Sequence, residues 1–313
     1  DRRKTDVILL DDASYWDATI SPELITVKHL VYSWYKAPKM VMKAFKCQLR
    51  TKGYCPTGVK YTGTGTVKSG DPDTSCGNSI LNGLIHMFSL CLRRWGKTGA
   101  FSNDPALLGA HMIVMGDDNV TFLDSKFWRA TVSAPSRDSR CHPDVTETLK
   151  QLGITPKLQV LSDSREADFC SALFWPAVRE RELITILAPK PGRIFAKFGY
   201  TMTLTDDPLG RVRGDALGLI QDCNHVPGLR AFVQAAIRLS SGHKATKDKG
   251  WEYKFHNSSK ASCTPEAYDM VLLRYGLSRE EITDFERFCD EIKIEKCVIS
   301  HPVIDRMISV DTA

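Results

Sequence analysis

The sequence predicts an α+β fold: an antiparallel sheet backed by helices, then a mainly helical C-terminal part. Three patterns predict it. Val7 to Leu10 form a short aliphatic, β-branched run that ends in Asp11 and Asp12, as a buried strand does. His111–Met115 and Val120–Leu123 flank Gly116-Asp117-Asp118-Asn119, the pattern of a hairpin with an acidic tip. Between them Ile80, Leu81, Leu84, Ile85, Phe88, Cys91 and Leu92 recur at helical spacing.

Taken in order, the first strand is followed by turn-prone residues and a helix starting near Ser21-Pro22-Glu23, with Ser as cap and Pro at the first position. Residues 31–50 are helical and basic in pattern. Residues 51–68, rich in Gly, Thr, Lys and Tyr, are expected to be extended with turns, and Ser69 to Asp73 to form a loop. The long helix from Thr74 to Trp95 ends at Gly96, with Arg93 and Arg94 in its last turn, where cations suit the helix dipole. After the acidic hairpin come a polar, irregular stretch over 124–143, a helix over 144–152 stopped by Gly153, and a strand near Lys157–Leu161. Two apolar segments around Trp175-Pro176 predict a further hairpin within 167–187. Beyond Pro189 the chain turns helical. Ser278 to Glu281 is a capping box for a helix with Ile282, Phe285, Cys289 and Ile292 on one face.

At 313 residues the chain can bury one large and one smaller core. Its net charge of +5 is mild but unevenly distributed. Leu24 to Gly70 holds no acidic residue, whereas Lys28, Lys36, Lys39, Lys43, Lys46, Arg50, Lys52, Lys60 and Lys68 all fall there. Such a stretch suits a phosphate backbone, with a solvated basic face as the plainer reading. Ten cysteines without a CxxC pair suggest reduced thiols; Cys289, Cys297 and His301 are a conceivable zinc set, but buried thiols are the commoner use. No apolar run reaches the length of a membrane span; Asn82, Gly83 and His86 interrupt the longest, Ile80–Leu92. There is no signal-peptide pattern and no initiator Met, so the chain is expected to belong to a longer polypeptide.

Nucleotidyl transfer uses two divalent ions, and hard ions such as Mg²⁺ prefer carboxylate oxygens. Asp117 and Asp118 at a hairpin tip, beside Asp12 at a strand end, would supply such a clamp, with Asp11 as an alternative to Asp12. A Gly-Asp-Asp tripeptide alone arises by chance in on the order of several per cent of chains this long. The order of the pieces is more specific. Asp12-Ala13-Ser14-Tyr15-Trp16-Asp17 resembles motif A of the viral RNA-dependent RNA polymerases. Ser69-Gly70, then Thr74, then Asn78 resembles motif B, and Gly116-Asp117-Asp118 motif C, all in the family's order. The wording of motif A and the Val59-Lys60-Tyr61 approach to motif B are similar to polymerases of positive-strand nodaviruses and tombusviruses. Leu152 to Lys157 resembles motif D, and Phe169-Cys170-Ser171 through Trp175-Pro176 resembles motif E.

The resemblance implies a polymerase palm over 1–188, with a fingers insertion at about 24–68, and a helical thumb over 189–313. Asp12 and Asp117 would bridge two Mg²⁺ ions (Mn²⁺ as substitute), with Asp118 a weaker ligand. Asp17 and Asn78 would recognise the ribose 2′-hydroxyl of a ribonucleoside triphosphate. Ser69 and Gly70 would form the loop against the template, Thr74 would support Asp17 and Asn78 or simply cap its helix, and Lys157 would act as general acid for the leaving group. Lys60, Lys68, Arg193 and Lys197 are the expected contacts to template and nascent RNA. The family's basic motif F precedes motif A, so the missing fingers residues are expected from the same polypeptide or a partner chain. Such an enzyme works in the host cytoplasm, at replication complexes held on membranes through regions outside this chain. Two rivals remain: a reverse transcriptase, which usually has an aromatic residue before the acidic pair and a bulky steric gate, and a non-catalytic RNA-binding palm.

Overall fold

The computed structural model describes residues 7–68, 70–95, 109–124, 143–201, 206–246, 261–293 and 299–312. Ser69, Gly96, Cys297 and most of the polar stretch 124–143 lie outside the described residues. The chain divides into two compact units, Asp1–Cys170 and Ser171–Ala313. Its class is α+β, and every described strand register is antiparallel.

The first unit is built on a sheet of order β4-β5-β1-β6, formed by β1 (Val7–Asp12), β4 (Ala110–Met115), β5 (Asp118–Leu123) and β6 (Gln159–Leu161). β1 is central because it can be buried on both faces; Ile8 and Leu9 are each 2% exposed. After β1 the chain makes α1 (Trp16–Thr19), α2 (Pro22–Trp34) and α3 (Lys39–Leu49), then the separate hairpin β2 (Arg50–Tyr54) and β3 (Lys60–Thr64). The Ser21 hydroxyl caps α2 by accepting from Leu24 N, and Pro22 occupies its first turn as the sequence predicts. The long α4 (Thr74–Trp95) and α5 (Pro143–Gln151) pack together, and Leu81, Ile85, Val145 and Leu149 join Leu9, Trp16 and Leu123 in one core. Gly153, at φ +87, ends α5 in the left-handed conformation expected of a helix stop. The short β7 (Asp168–Phe169) closes the unit.

The second unit opens with the hairpin β8 (Ala172–Arg179) and β9 (Glu182–Pro189). Its turn is at Glu180 and Arg181, both with positive φ, while Pro176 lies mid-strand opposite Thr185. Helices α6 (Pro191–Lys197), α7 (Pro208–Cys223), α8 (Leu229–Leu239), α9 (Pro265–Tyr275), α10 (Arg279–Glu291) and α11 (Pro302–Thr312) follow. The expected helical character holds, with one addition: β10 (Ser262–Cys263) pairs with β8. The capping box at Ser278 and Glu281 forms in both directions, at 3.2 and 2.7 Å. Gly192 is needed for close approach, since a Cβ there would stand 2.0 Å from the Met307 carbonyl. Its N–H donates to buried Asp311, which also accepts from Arg274 and Tyr275. An apolar cavity of about 480 Å³ beside Phe195, Phe198, Phe232 and Phe288 has no carboxylate in its lining. His301 caps α11 by accepting from Val303 N and packs against Phe285 and Phe288, which gives its ring a local structural use. Among the described residues no helix is long and apolar enough to cross a membrane.

Candidate active site

The pleat of β1 sorts its two terminal carboxylates. Side chains alternate across a strand, so Asp11 points into the unit (2% exposed) and Asp12 points out, where it is exposed. The antiparallel register sets Asp12 directly opposite Asp118 and Asp11 opposite Asn119. Opposed residues in such a pair have Cβ atoms about 4.5–5.5 Å apart. The acidic hairpin is tighter than its sequence implies: β5 begins at Asp118, which leaves a two-residue tip, Gly116-Asp117. Gly116 has φ +63 and Asp117 does not have positive φ, the glycine-first pattern of a type II′ turn.

The electrostatics of this corner are those of crowded anions. Burial holds the Asp118 carboxyl above the ordinary carboxylate range; a hydrogen bond from Cys170 opposes this, and Asp117, Asp12 and Asp168 add repulsion. Burial and the charge of Asp118 push the Cys170 thiol up to about 11. Asp168 and Cys170 therefore belong to the site, and neither was singled out from sequence as a site residue. Like charges directly opposed on a sheet destabilise it unless a cation lies between them. The donors are hard oxygens, which fits Mg²⁺. Among the described residues no three His, Cys, Asp or Glu side chains form a ready-made cage. Mg²⁺ does not require one, because it is usually held by one or two carboxylates with water and substrate phosphates.

Helix α4 holds this corner from beneath through a buried polar stripe at i, i+4, i+8. Asn78 donates to Asp17 at 2.9 Å. Asn82, fully buried, donates to the carbonyls of Gly116 (3.2 Å) and Asp117 (2.7 Å) and accepts from Asn119 at 3.0 Å. His86 meets Asp11 at 3.0 Å. Ser79 accepts from Gly116 N at 2.7 Å, so both sides of the tip's backbone are tied to one helix.

Residues 7–155 match the family model described as viral RNA dependent RNA polymerase, just under half of the chain. This segment is similar to that family. No curated protein matches the chain. The matched segment contains Asp12, Asp17, Asn78, Asp117 and Asp118 and stops just before Lys157. That lysine lies beside the carboxylates all the same, its ammonium 3.6 Å from Asp12 with both side chains largely exposed.

The loop before α4 is anchored more elaborately than its sequence indicates. Val67 N donates to the Asp17 carbonyl and Thr66 N to that of Ile20, which pins the turn after β1 against 65–67. Gly65, at φ +70, has Pro22 and the Ile20 carbonyl about 3 Å from any Cβ position, so only glycine fits. Gly70, at φ +84, faces open space. The Thr74 hydroxyl donates to the Lys68 carbonyl at 3.1 Å, so its direct partner is the loop rather than Asp17 or Asn78.

Two lysines of the basic stretch depart from expectation. Lys28 is 1% exposed and pairs with buried Asp73 at 2.5 Å, with Tyr32 also bonded to that carboxylate. Lys68 donates to the carbonyls of Gly65, Thr66 and Gln48, at 2.7, 2.7 and 3.3 Å. Burial lowers its pKa despite nearby Asp71. The Lys28 ammonium is thus buried and paired, as buried charge must be, and that of half-buried Lys68 is taken up by backbone carbonyls. Lys36, Lys39, Lys43, Lys46, Arg50, Lys52 and Lys60 are exposed, and Trp34, Tyr35, Tyr54 and Tyr61 stand exposed among them. In the second unit Arg193 and Lys197 lie one turn apart on α6, and Arg193 also donates to Ser171.

Proposed function

We propose that this chain carries the catalytic centre of a viral RNA-dependent RNA polymerase, adding ribonucleotides to the 3′ end of RNA on a template during genome replication. The observation that carries the reading is the carboxylate corner: Asp12 opposite Asp118 across two strands, with Asp117 at the adjoining tip. Asp12, Asp117 and Asp118 would hold two Mg²⁺ ions, or Mn²⁺ in their place. When bound, such ions activate the attacking 3′-hydroxyl and neutralise charge on the triphosphate.

The remaining roles fall to side chains. Asp17, fixed by Asn78, would accept from the 2′-hydroxyl of the incoming ribonucleotide. The Asn78 Oδ1 is buried without a partner among the described residues, an acceptor that a ribose hydroxyl would satisfy. Gly70, with the adjoining Ser69, would let the template approach the loop backbone closely. Lys157 would deliver a proton from Nζ to the departing pyrophosphate. Lys60, among the exposed tyrosines and lysines of 34–61, is suited to phosphate and base stacking. Arg193 and Lys197 would follow the product strand. On this reading the palm runs over 1–188 with a fingers insertion near 24–68, the thumb covers 189–313, and the enzyme acts in the host cytoplasm.

A primed RNA template extended with labelled nucleotides tests the proposal. Extension should need Mg²⁺ or Mn²⁺, prefer ribonucleotides and fall roughly 10³-fold in Asp117→Asn with template binding retained. A preference for deoxyribonucleotides would favour a reverse transcriptase. RNA binding with no metal-dependent synthesis would leave a non-catalytic palm.

A further inference from the structure

His86 and Asp11 lie beneath the carboxylate corner and have no part in the roles assigned above. They are 4% and 2% exposed. Both nitrogens of the His86 ring face acceptors: Nδ1 lies 2.9 Å from the Asn82 carbonyl and Nε2 lies 3.0 Å from Asp11 Oδ2. A ring held between these two acceptors can donate to Asp11 from Nε2, and the two contacts fix its orientation. The other Asp11 oxygen accepts from the backbone N–H of Lys157 at 2.9 Å. Lys157 precedes β6, whose pairing with β1 begins at Gln159 opposite Leu10, so a carboxylate takes the place of a ladder carbonyl for its N–H. Ser14 N, just past β1, holds the same segment through the Thr155 carbonyl at 2.9 Å. Above this clasp the Lys157 ammonium stands 3.6 Å from Asp12.

We propose that His86 and Asp11 are positioning residues for nucleotide addition, holding the Lys157 backbone so that its ammonium stays at the carboxylate corner. The inference rests on the polymerase reading and adds to it a reason for two buried ionisable residues where an apolar pair would fill the space. The chain of contacts is continuous: α4 orients the ring, the ring orients Asp11, and Asp11 places the segment that carries Lys157. Small displacements of a reacting group are enough to matter, since about 1 Å can cost roughly 10²-fold in rate.

A double-mutant cycle in single-nucleotide addition, with His86→Gln and Lys157→Ala, tests this. Lys157→Ala should lower the maximal rate roughly 10²-fold, the contribution of a general acid. His86→Gln should lower it about tenfold with KM for the nucleotide unchanged. The double variant should be no slower than Lys157→Ala alone, because His86 acts through that lysine. A purely structural role gives effects that multiply, and that result overturns the inference. So does an unchanged rate in Lys157→Ala. Should His86→Gln fail to fold, Asp11→Asn takes its place in the same cycle with the same expected outcome. Loss of Asp117-dependent extension in the unmodified protein overturns the polymerase reading as well; intact extension with multiplying effects overturns only the positioning role.

Discussion

Asp11 and Asp12 are chemically identical neighbours, and the strand pleat gives them opposite uses. Asp12 faces outward opposite Asp118, while Asp11 is a buried acceptor for His86 and Lys157 N. Lysines divide in the same way: Lys28 and Lys68 are held by internal acceptors, and Lys60 stays exposed. At Asp118, burial and three neighbouring carboxylates raise the cost of its charge, and a divalent ion would relieve it. Binding at about ten times the dissociation constant stabilises by about 1.4 kcal/mol, which corresponds to a Tm rise of roughly 3–5 °C. Calorimetry with and without millimolar Mg²⁺ should show this rise. Asp118→Asn should start from a higher Tm without metal and gain less from it. An equal gain in both proteins would place the cation elsewhere.

At the scale of elements, α4 has two faces of different kinds. Leu81 and Ile85 face the core, and Asn78, Asn82 and His86 form a second buried stripe beside them. Asn82 is the keystone of the hairpin, since its side chain satisfies two tip carbonyls and Asn119 at once. Asn82→Leu keeps the volume but leaves those groups buried without partners. The expected loss is about 2–4 kcal/mol in urea unfolding, together with faster amide exchange at Gly116 and Asp117. A loss under about 0.5 kcal/mol would mean that the tip is held by its own turn.

At the scale of the whole molecule, the described residues form two cores, one around Leu9, Trp16 and Leu123 and one around Trp175, Val226 and Phe285. Beside the second, His225 is fully buried, and neither ring nitrogen has a hydrogen-bond partner among the described residues. Burial pulls its pKa from 6.5 down to about 4. The unfolded chain therefore binds a proton between pH 6.5 and 4 that the folded unit does not, so stability is lost as pH falls through that window. The loss approaches about 3 kcal/mol at its acid end. Unfolding at pH 7 and pH 5, followed by hydrogen exchange in α8–α10, should show it, and His225→Leu should flatten the pH dependence. By itself the sequence determined the α+β class and most elements and pointed to the carboxylates Asp12, Asp117 and Asp118, which the strand register brings to one corner, because strand alternation, helix period, caps and motif order are local and leave a direct trace in the chain. It did not reveal Asp168, Cys170, the α4 polar stripe, the His86–Asp11 clasp or the burial of Lys28. Those were decided by register and by which face each residue presents to a partner 34 to 146 positions away, and such pairings exist only once the chain is folded.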